Sequence, residues 1–156
     1  MSADASFPVW IILGPLFVAL MIYLILVRRM ESLRIERKFP KESILLTSFG
    51  VNFYGLRSEP GGPARSSGAL VLLKDTLYYR ARFSKRELAI PVDSITSIDI
   101  TEAHKGKALY TKAIQFRFEA EEGREDAAVF RIPYPDRWVV AARGNLRLRG
   151  HSESKG

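Results

Sequence analysis

The stretch GALVLLKDTLYYRARFSKRELAIPVDSITSIDI, residues 68–100, decides the fold of this chain. It begins with two apolar runs that meet near residues 74–75, which is the pattern of a β-hairpin. Apolar and polar residues alternate along 77–82, which indicates a half-buried strand with a basic outer face. Residues 84–86 then turn the chain into a short strand, and Pro91 places the end of that strand at a sheet edge or terminus.

The same strand-like pattern extends on both sides of this stretch. Residues 44–46 open it, residues 95–100 mark a further strand, and residues 113–119 alternate an apolar face with a polar face. The last predicted strand is 127–132. The predicted connections are a Gly/Pro/Ser-rich loop at 58–68, a loop at 104–107 and a turn at 121–124. About seven short antiparallel strands at this spacing favour a small barrel or a sandwich.

A C-terminal helix is predicted after the last strand. Pro135 and Asp136 can start it, with Asp136 as the N-cap, and Trp138 is placed to plug one open end of a barrel. Gly144 either stops this helix or weakens it. Residues 145–149 alternate apolar and basic side chains, which fits a helix end, an added edge strand or a disordered basic arm.

The N-terminal region has a different composition. Residues 7–27 read FPVWIILGPLFVALMIYLILV, and no charged side chain occurs between residues 5 and 27. A helix of this length spans about 30 Å, the thickness of a bilayer's hydrocarbon core. A cleavable signal peptide would carry positive charge before the run and small residues after it, and a buried core helix is rarely apolar on every face. The sequence therefore predicts a transmembrane helix.

The flanks of this segment predict its orientation. Arg28 and Arg29 follow it at once, and residues 28–41 carry six Lys or Arg against two Glu, whereas no Lys or Arg precedes the segment. The positive-inside rule then places the N-terminus outside and the rest of the chain in the cytoplasm. Trp10 and Tyr23 lie near the two ends, where amphipathic rings favour the membrane interface.

A glycine and a proline interrupt the apolar segment. Pro15 leaves the carbonyl of Ile11 without its usual helical donor, so a kink near Gly14 and Pro15 is expected. Such kinks are tolerated in membrane helices. A second interpretation is that Gly14 lets a partner helix approach closely.

The stretch 68–100 resembles pleckstrin-homology-like (PH-like), GRAM-type domains, particularly bacterial ones. The resemblance extends over residues 43–143 and includes the final strand and the motif Pro135-Asp136-x-Trp138; residues 50–58 resemble the opening of uncharacterised bacterial members. It implies a split barrel of seven strands capped by a helix, and a domain that binds lipids, peptides or proteins rather than an enzyme. The positions that carry it are Gly68, Leu70, Leu72, Leu77, Tyr79, Ile90, Pro91, Val92, Ile95 and Ile98.

Composition limits the chemistry. The chain has no Cys and only two His, His104 and His151, and its carboxylates show no metal or acid–base spacing. We therefore expect no catalytic residue, no metal and no cofactor. The net charge of +7 fits a protein near an anionic leaflet, so nucleic acid is not the expected partner.

Two groups of residues are candidate contacts for membrane lipid. Lys74, Arg80 and Arg82 resemble the Lys…Arg-x-Arg phosphoinositide signature of some PH domains, although Lys74 lies in a later turn than the signature requires. The alternative is a solvated strand face. A basic rim at the membrane would comprise Lys85, Arg86, His104, Lys105 and Lys107.

Aromatic residues are candidate contacts for a protein partner. Phe53, Tyr54 and Trp138, together with Phe49, exceed what an opening strand usually needs. The alternative is that they fill the barrel core.

These patterns predict a mainly β protein with an N-terminal anchor. The expected function is a non-enzymatic binding or scaffold module, an adaptor or accessory subunit of a bacterial inner-membrane assembly, whose partners are other subunits or its own copies. The alternative is a module that senses anionic lipid. The predicted segments are an extracytoplasmic tail (1–6), a transmembrane helix (7–27), a basic juxtamembrane segment (28–42), a PH-like domain (43–145) and a basic polar tail (146–156).

Overall fold

The computed structural model describes residues 8–61 and 65–153, with side chains described up to residue 146. The predicted extracytoplasmic tail, residues 62–64 of the predicted loop and residues 154–156 of the predicted tail lie outside the described residues. The chain divides into two units, Met1–Lys38 and Phe39–Gly156.

The first unit contains one long helix, α1, at Trp10–Lys38. Its 29 residues correspond to about 44 Å, and by length and composition it could cross a membrane. Arg28, Arg29 and the rest of the predicted basic juxtamembrane segment up to Lys38 continue the same helix. Exposed long cationic side chains at helical spacing are compatible with a helix, so charge alone does not end one.

The four residues singled out in the apolar part of α1 are all within the helix. Pro15 does not interrupt it, and a Cβ added at Gly14 would meet nothing within 4 Å. Trp10 begins the helix, and both Trp10 and Tyr23 are exposed.

The second unit contains seven strands and a helix. Three single 3₁₀ turns, Lys41–Ser43, Val92–Ser94 and Glu121–Gly123, lie between or before the strands. The strands are β1 (Ile44–Leu56), β2 (Ser66–Leu73), β3 (Thr76–Ala81), β4 (Glu87–Pro91), β5 (Ile95–His104), β6 (Lys107–Glu119) and β7 (Glu125–Arg131), and the helix is α2 (Pro135–Glu153).

All seven strands form one antiparallel sheet in the order β4-β3-β2-β1-β7-β6-β5. The long strand β1 pairs with β2 along its first part and with β7 along its last part, so it links the two halves of the sheet. Strands β4 and β5 are the two edges, which is the arrangement of a split barrel. The predicted mainly β architecture, with seven antiparallel strands and a C-terminal helix, is confirmed.

The inner face of the sheet forms one hydrophobic core. The rings of Phe53 and Phe130 stack with their centroids 4.8 Å apart, and Tyr79 lies 5.0 Å from Phe53. The Tyr79 hydroxyl donates to the carbonyl of Ser66 at 3.1 Å, so this buried polar atom is satisfied. The alternating pattern of β3 and β6 that predicted half-buried strands is the pattern that supplies this core.

Helix α2 covers one end of the barrel with one apolar stripe. Trp138, Ala142 and Leu146, spaced by four residues, pack against the core. The Trp138 indole N–H donates to the hydroxyl of Ser48 at 2.8 Å, and Arg143 donates to the carbonyl of Ile98 at 2.7 Å. The predicted helix is therefore present, and Trp138 is buried at the end that it was expected to plug.

One prediction about α2 was wrong, and the structure selects between the alternatives given for Gly144 and for residues 145–149. The helix begins at Pro135, so Asp136 lies in its first turn and is not the N-cap. Gly144 does not stop it, since the helix runs on to Glu153 and residues 145–149 are helical. Packing of Leu146 against the core and a hydrogen bond from Asn145 to the carbonyl of Lys74 (3.3 Å) offset the cost of the glycine.

The predicted loop at 104–107 is present, but it is shorter than predicted. Strand β5 continues to His104 and β6 begins at Lys107, which leaves a two-residue turn. Lys105 and Gly106 have φ of 50° and 74°, as in the type I′ turn that suits the twist of a β-hairpin. Lys at the first position obscured this turn, because Asn or Asp usually precedes the Gly.

Candidate functional site

The basic residues predicted to contact lipid lie on several strand ends and turns of the domain. Lys74 lies in the β2–β3 turn and Lys85 in the β3–β4 connection, at opposite ends of a six-residue strand that is about 20 Å long. Between them, Arg80 forms an ion pair with Glu87 across β3 and β4, with 3.2 Å between Nη1 and Oε1. Lys107 is exposed at the start of β6. Of the Lys…Arg-x-Arg signature, Lys74 therefore lies before β3, whereas Arg80 and Arg82 lie at its far end.

Two cations of the predicted basic rim bind the same glutamate of the domain. Arg86 forms an ion pair with Glu59, and its guanidinium carbon lies 4.7 Å from the ring centroid of Phe53. Lys105 donates from Nζ to the backbone carbonyl of Glu59 at 2.7 Å. The other carboxylate oxygen of Glu59 accepts from the backbone N–H of Leu56 at 3.1 Å. Glu59 thus holds together the end of β1, the β3–β4 connection and the β5–β6 turn.

A second carboxylate, Asp126, which is buried, stabilises the same end of β1. It accepts hydrogen bonds from the backbone N–H of Ser58 at 3.0 Å, the hydroxyl of Ser58 at 2.5 Å and the backbone N–H of Ala127 at 2.7 Å. The Ser58 hydroxyl therefore donates to a carboxylate that also accepts two backbone N–H groups. Among residues 8–61 and 65–153, no group of three His, Asp or Glu side chains could hold a metal ion.

His104 is buried beside these groups. It is 5% exposed, and its Nε2 atom has no hydrogen-bond partner among the described residues. Burial and the neighbouring charge of Lys105 lower the pKa of His104, against the opposing effects of a backbone hydrogen bond to Gly55 and of the carboxylates of Asp126 and Glu59. His104 is therefore a buried neutral side chain and does not belong to an exposed basic rim.

The three aromatics predicted as protein contacts are buried in hydrophobic clusters. Phe53 and Trp138 belong to the barrel core. Tyr54 lies in a smaller cluster with Ala113 and Val129, against which Leu109 packs. These positions match the alternative interpretation, in which the aromatics fill the core.

The β3–β4 connection carries an exposed aromatic that sequence reasoning missed. Phe83 is 80% exposed, and the guanidinium carbon of Arg82 lies 5.9 Å from its ring centroid. Ser84 and Lys85, both exposed, follow directly. The signal in the sequence is an aromatic residue placed inside a basic turn, where no core position is available.

A groove of about 650 Å³ lies at the end of β7. Strand β7 lies between β1 and β6 and ends at Arg131, while β1 and β6 both extend past that point. The gap between the two extensions is the groove. Its lining residues are Gly50 and Asn52 of β1, Thr111 and Lys112 of β6, Arg131 at the end of β7, Ile132 and Pro133 of the connection to α2, and Pro135 at the start of α2.

The walls of the groove are irregular parts of both strands. Gly50 has φ of 70° and forms a bulge where the β1–β2 register shifts between Phe49 and Val51. The β5–β6 register passes from Ala113 to Ala108, so residues 109–112 have no partner on β5. Tyr110, in this bulge, has φ of 54°. Sequence reasoning missed this site, because the residues that line it lie far apart in the sequence and share no motif.

Comparison with known proteins gives likeness of fold alone. No protein-family profile matches the chain, and no curated protein sequence matches it either. A chain in a structure described as the 8S snRNP assembly intermediate is 15% identical, with a TM-score of 0.55 over 70% of this chain and 86% of that chain. The C-terminal domain of an unknown protein from Leishmania infantum is 15% identical (TM-score 0.47; 67% of this chain, 84% of that chain). The Vps36 N-terminal PH domain is 11% identical (TM-score 0.48; 67% of this chain, 78% of that chain).

Proposed function

We propose that the protein is a membrane-anchored, non-enzymatic binding module with a GRAM-type domain, acting as an adaptor or accessory subunit of a bacterial membrane assembly. Its partners are other membrane subunits or its own copies. The observation that carries the proposal is the joining of an apolar helix long enough to cross a bilayer to a PH-like domain in one short chain.

The orientation in this proposal comes from charge. The apolar part of α1 ends at Arg28 and Arg29, and the helix continues with further cations up to Lys38. The positive-inside rule places this end of α1, and the domain that follows it, on the cytoplasmic side of the inner membrane. A basic helical segment at that position also interacts favourably with the anionic leaflet.

The non-enzymatic part of the proposal rests on how the polar side chains are used. Glu59 and Asp126 each accept several hydrogen bonds from their own domain, and Ser58 donates to Asp126. These groups hold the end of β1, the β5–β6 turn and the β3–β4 connection in place, which is a structural task.

The experiment that tests the proposal uses the absence of native Cys. Single Cys residues are introduced by Ser2→Cys and, separately, Ser84→Cys, and intact cells are treated with a membrane-impermeant maleimide. Ser2→Cys should be labelled, and Ser84→Cys should be labelled only after the inner membrane is permeabilised. Labelling of Ser84→Cys in intact cells, or recovery of the chain in the soluble fraction, would overturn the proposed placement.

The adaptor role is tested on the unmodified chain after mild detergent extraction. Native mass spectrometry should show a defined stoichiometric complex, either with another subunit or with further copies. A mass that corresponds to one chain at every detergent and protein concentration would exclude the adaptor role.

A second candidate function, sensing of anionic lipid, is favoured by the exposed Phe83. An apolar ring beside Arg82 and Lys85 combines insertion into an interface with attraction to lipid headgroups. Full insertion of such a ring contributes about 1.5–3 kcal/mol. This candidate uses the β3–β4 connection and not the complete set of basic residues predicted from the sequence.

A further inference from the structure

We propose that the groove beyond the end of β7 binds an extended, acidic peptide segment of a partner protein. This proposal rests on the proposed adaptor function and deepens it, because it names the surface and the chemistry of the segment that the surface takes. Three observations carry it: the position of the groove in the sheet, its charge, and the aromatic side chains beside it.

The first observation is that the groove continues the line of a strand. Strands β1 and β6 lie on either side of β7, which places them about 10 Å apart. When β7 ends at Arg131, that spacing remains open, and it is the width that one extended chain requires. An extended peptide in the groove would occupy the place that β7 leaves.

The second observation is that β1 and β6 have no strand partner along the edges that face the groove, although β1 remains paired with β2 along its other edge. Pairing of β6 with β7 begins only at Ile114, and residues 109–112 have no partner on β5 either. Pairing of β1 with β7 begins at Asn52, next to the bulge at Gly50. Pro133 and Pro135, which also line the groove, have no N–H to offer. Exposed N–H and C=O groups along two strand edges can pair with an added strand.

The third observation is the charge of the groove. Lys112 of β6 and Arg131 at the end of β7 both line it, and neither forms an ion pair within the part of the chain that the structure describes. Asn52 and Thr111 add neutral polar groups, and no carboxylate is among the lining residues described. A segment with alternating carboxylates would direct one face to both cations, since alternate side chains of a strand share a face.

Two exposed tyrosines lie next in sequence to the lining residues. Tyr110 is 97% exposed, and Tyr134 is 75% exposed with the guanidinium carbon of Arg137 at 5.7 Å from its ring centroid. Amphipathic rings of this kind are enriched at protein interfaces, where they contribute area with little loss of conformational freedom. They extend the groove into a surface suited to a peptide.

A lipid headgroup or a free phosphate would also be attracted by Lys112 and Arg131. The unpaired strand edges distinguish the occupants, because a headgroup makes no use of a row of backbone donors and acceptors, whereas an extended peptide pairs with them. The peptide is therefore the occupant that the groove fits, and the two small anions become outcomes of the test.

The test measures binding of fluorescent peptides to the full chain in nonionic detergent micelles, by anisotropy at low salt. The acidic probe is an eight-residue peptide of alternating Glu and Thr, and the matched neutral probe alternates Gln and Thr. We expect the acidic peptide to bind at least about tenfold more tightly than the neutral one. An acidic peptide in which alternate backbone amides are N-methylated should lose that binding.

The variants locate the site. Lys112→Glu with Arg131→Glu should weaken binding of the acidic peptide by about tenfold or more, and Lys112→Gln with Arg131→Gln should weaken it less. Lys74→Glu with Lys85→Glu makes the same change in net charge at two turns outside the groove and should leave binding within about twofold. Circular dichroism checks that each variant is folded.

Several results would overturn the proposal. These are equal binding of the acidic and neutral peptides, equal binding of the N-methylated peptide, or loss in the Lys74/Lys85 variant equal to that in the Lys112/Arg131 variant. Displacement of the peptide by sodium phosphate beyond that by sodium chloride of equal ionic strength, or by phosphatidylserine added to the micelles, would assign the groove to a small anion or a headgroup. If the peptide fails to bind while the native complex is recovered, only the groove is rejected and the adaptor role stands.

Discussion

Removal of the Trp138 side chain should uncouple helix α2 from the barrel. Trp138 is 2% exposed and packs in the core. A buried Trp removes about 200 Å² from water, which corresponds to about 5 kcal/mol at about 25 cal/mol per Å². Trp→Ala substitutions in cores cost about 3–5 kcal/mol, so we expect Trp138→Ala to lower the free energy of unfolding by about 4 kcal/mol.

The polar part of the same side chain can be measured separately. Trp138→Phe keeps most of the apolar contact but removes the N–H that donates to Ser48, which should cost about 1–2 kcal/mol. Ser48→Ala should cost about 1 kcal/mol, and the double variant should show a coupling energy of about 1 kcal/mol because the two groups contact each other directly.

The assay is urea denaturation of the full chain in detergent, followed by circular dichroism. Val140→Ala is the matched control, since Val140 lies on the same helix and is 72% exposed. We expect it to change stability by less than about 0.5 kcal/mol. If Trp138→Ala cost no more than Val140→Ala, or if Trp138→Phe and Ser48→Ala were simply additive, the described packing of α2 would be refuted.

Two further predictions concern pH and lipid. The pKa of His104 in the folded state lies below its unfolded value of 6.5. Below about pH 6.5 the unfolded state therefore binds more protons than the folded state. The contribution of His104 to the free energy of unfolding should be fully present above that pH and should fall as the pH drops toward the folded pKa. His104→Gln should flatten this slope in urea titrations from pH 7.5 to 5, and an unchanged slope would show that another group is responsible. For the lipid candidate, an environment-sensitive dye is attached at Ser84→Cys. Its fluorescence emission should shift to the blue when the full chain is moved from phosphatidylcholine nanodiscs to phosphatidylserine nanodiscs. Phe83→Asp should abolish this shift. The same dye on Val140→Cys is the control, and a shift there of equal size, or a shift that survives Phe83→Asp, would exclude the lipid role of the β3–β4 connection.

Local patterns predicted most of the architecture. The apolar segment before Arg28, the alternation along 77–82 and 113–119, and the position of Trp138 each corresponds to an element of the structure. These signals are local, because the period of burial along a helix or a strand is written into consecutive residues. Element ends were less well predicted, as at Asp136 and at residues 104–107, and the sequence left three alternatives open at 145–149, because packing and turn geometry decide where an element stops.

The binding partners of the charged residues could not be predicted from local patterns. The sequence shows a basic turn at 84–86 and a basic turn near 105, but Arg86 and Lys105 both bind Glu59, which is 27 and 46 residues away from them. Asp126 likewise accepts from Ser58, 68 residues earlier. Pairing of this kind depends on which strands become neighbours, which no local pattern records.

The amino-acid sequence alone determined the long apolar helix, the basic residues that follow its apolar part, and a series of alternating strands closed by a helix. The tertiary structure decided which cations bind other residues of the domain and which line a surface. It also created the groove at Lys112 and Arg131. The physical reason is that burial periodicity is a property of neighbouring residues, whereas a groove is the space left when one strand, β7, ends before the two that flank it.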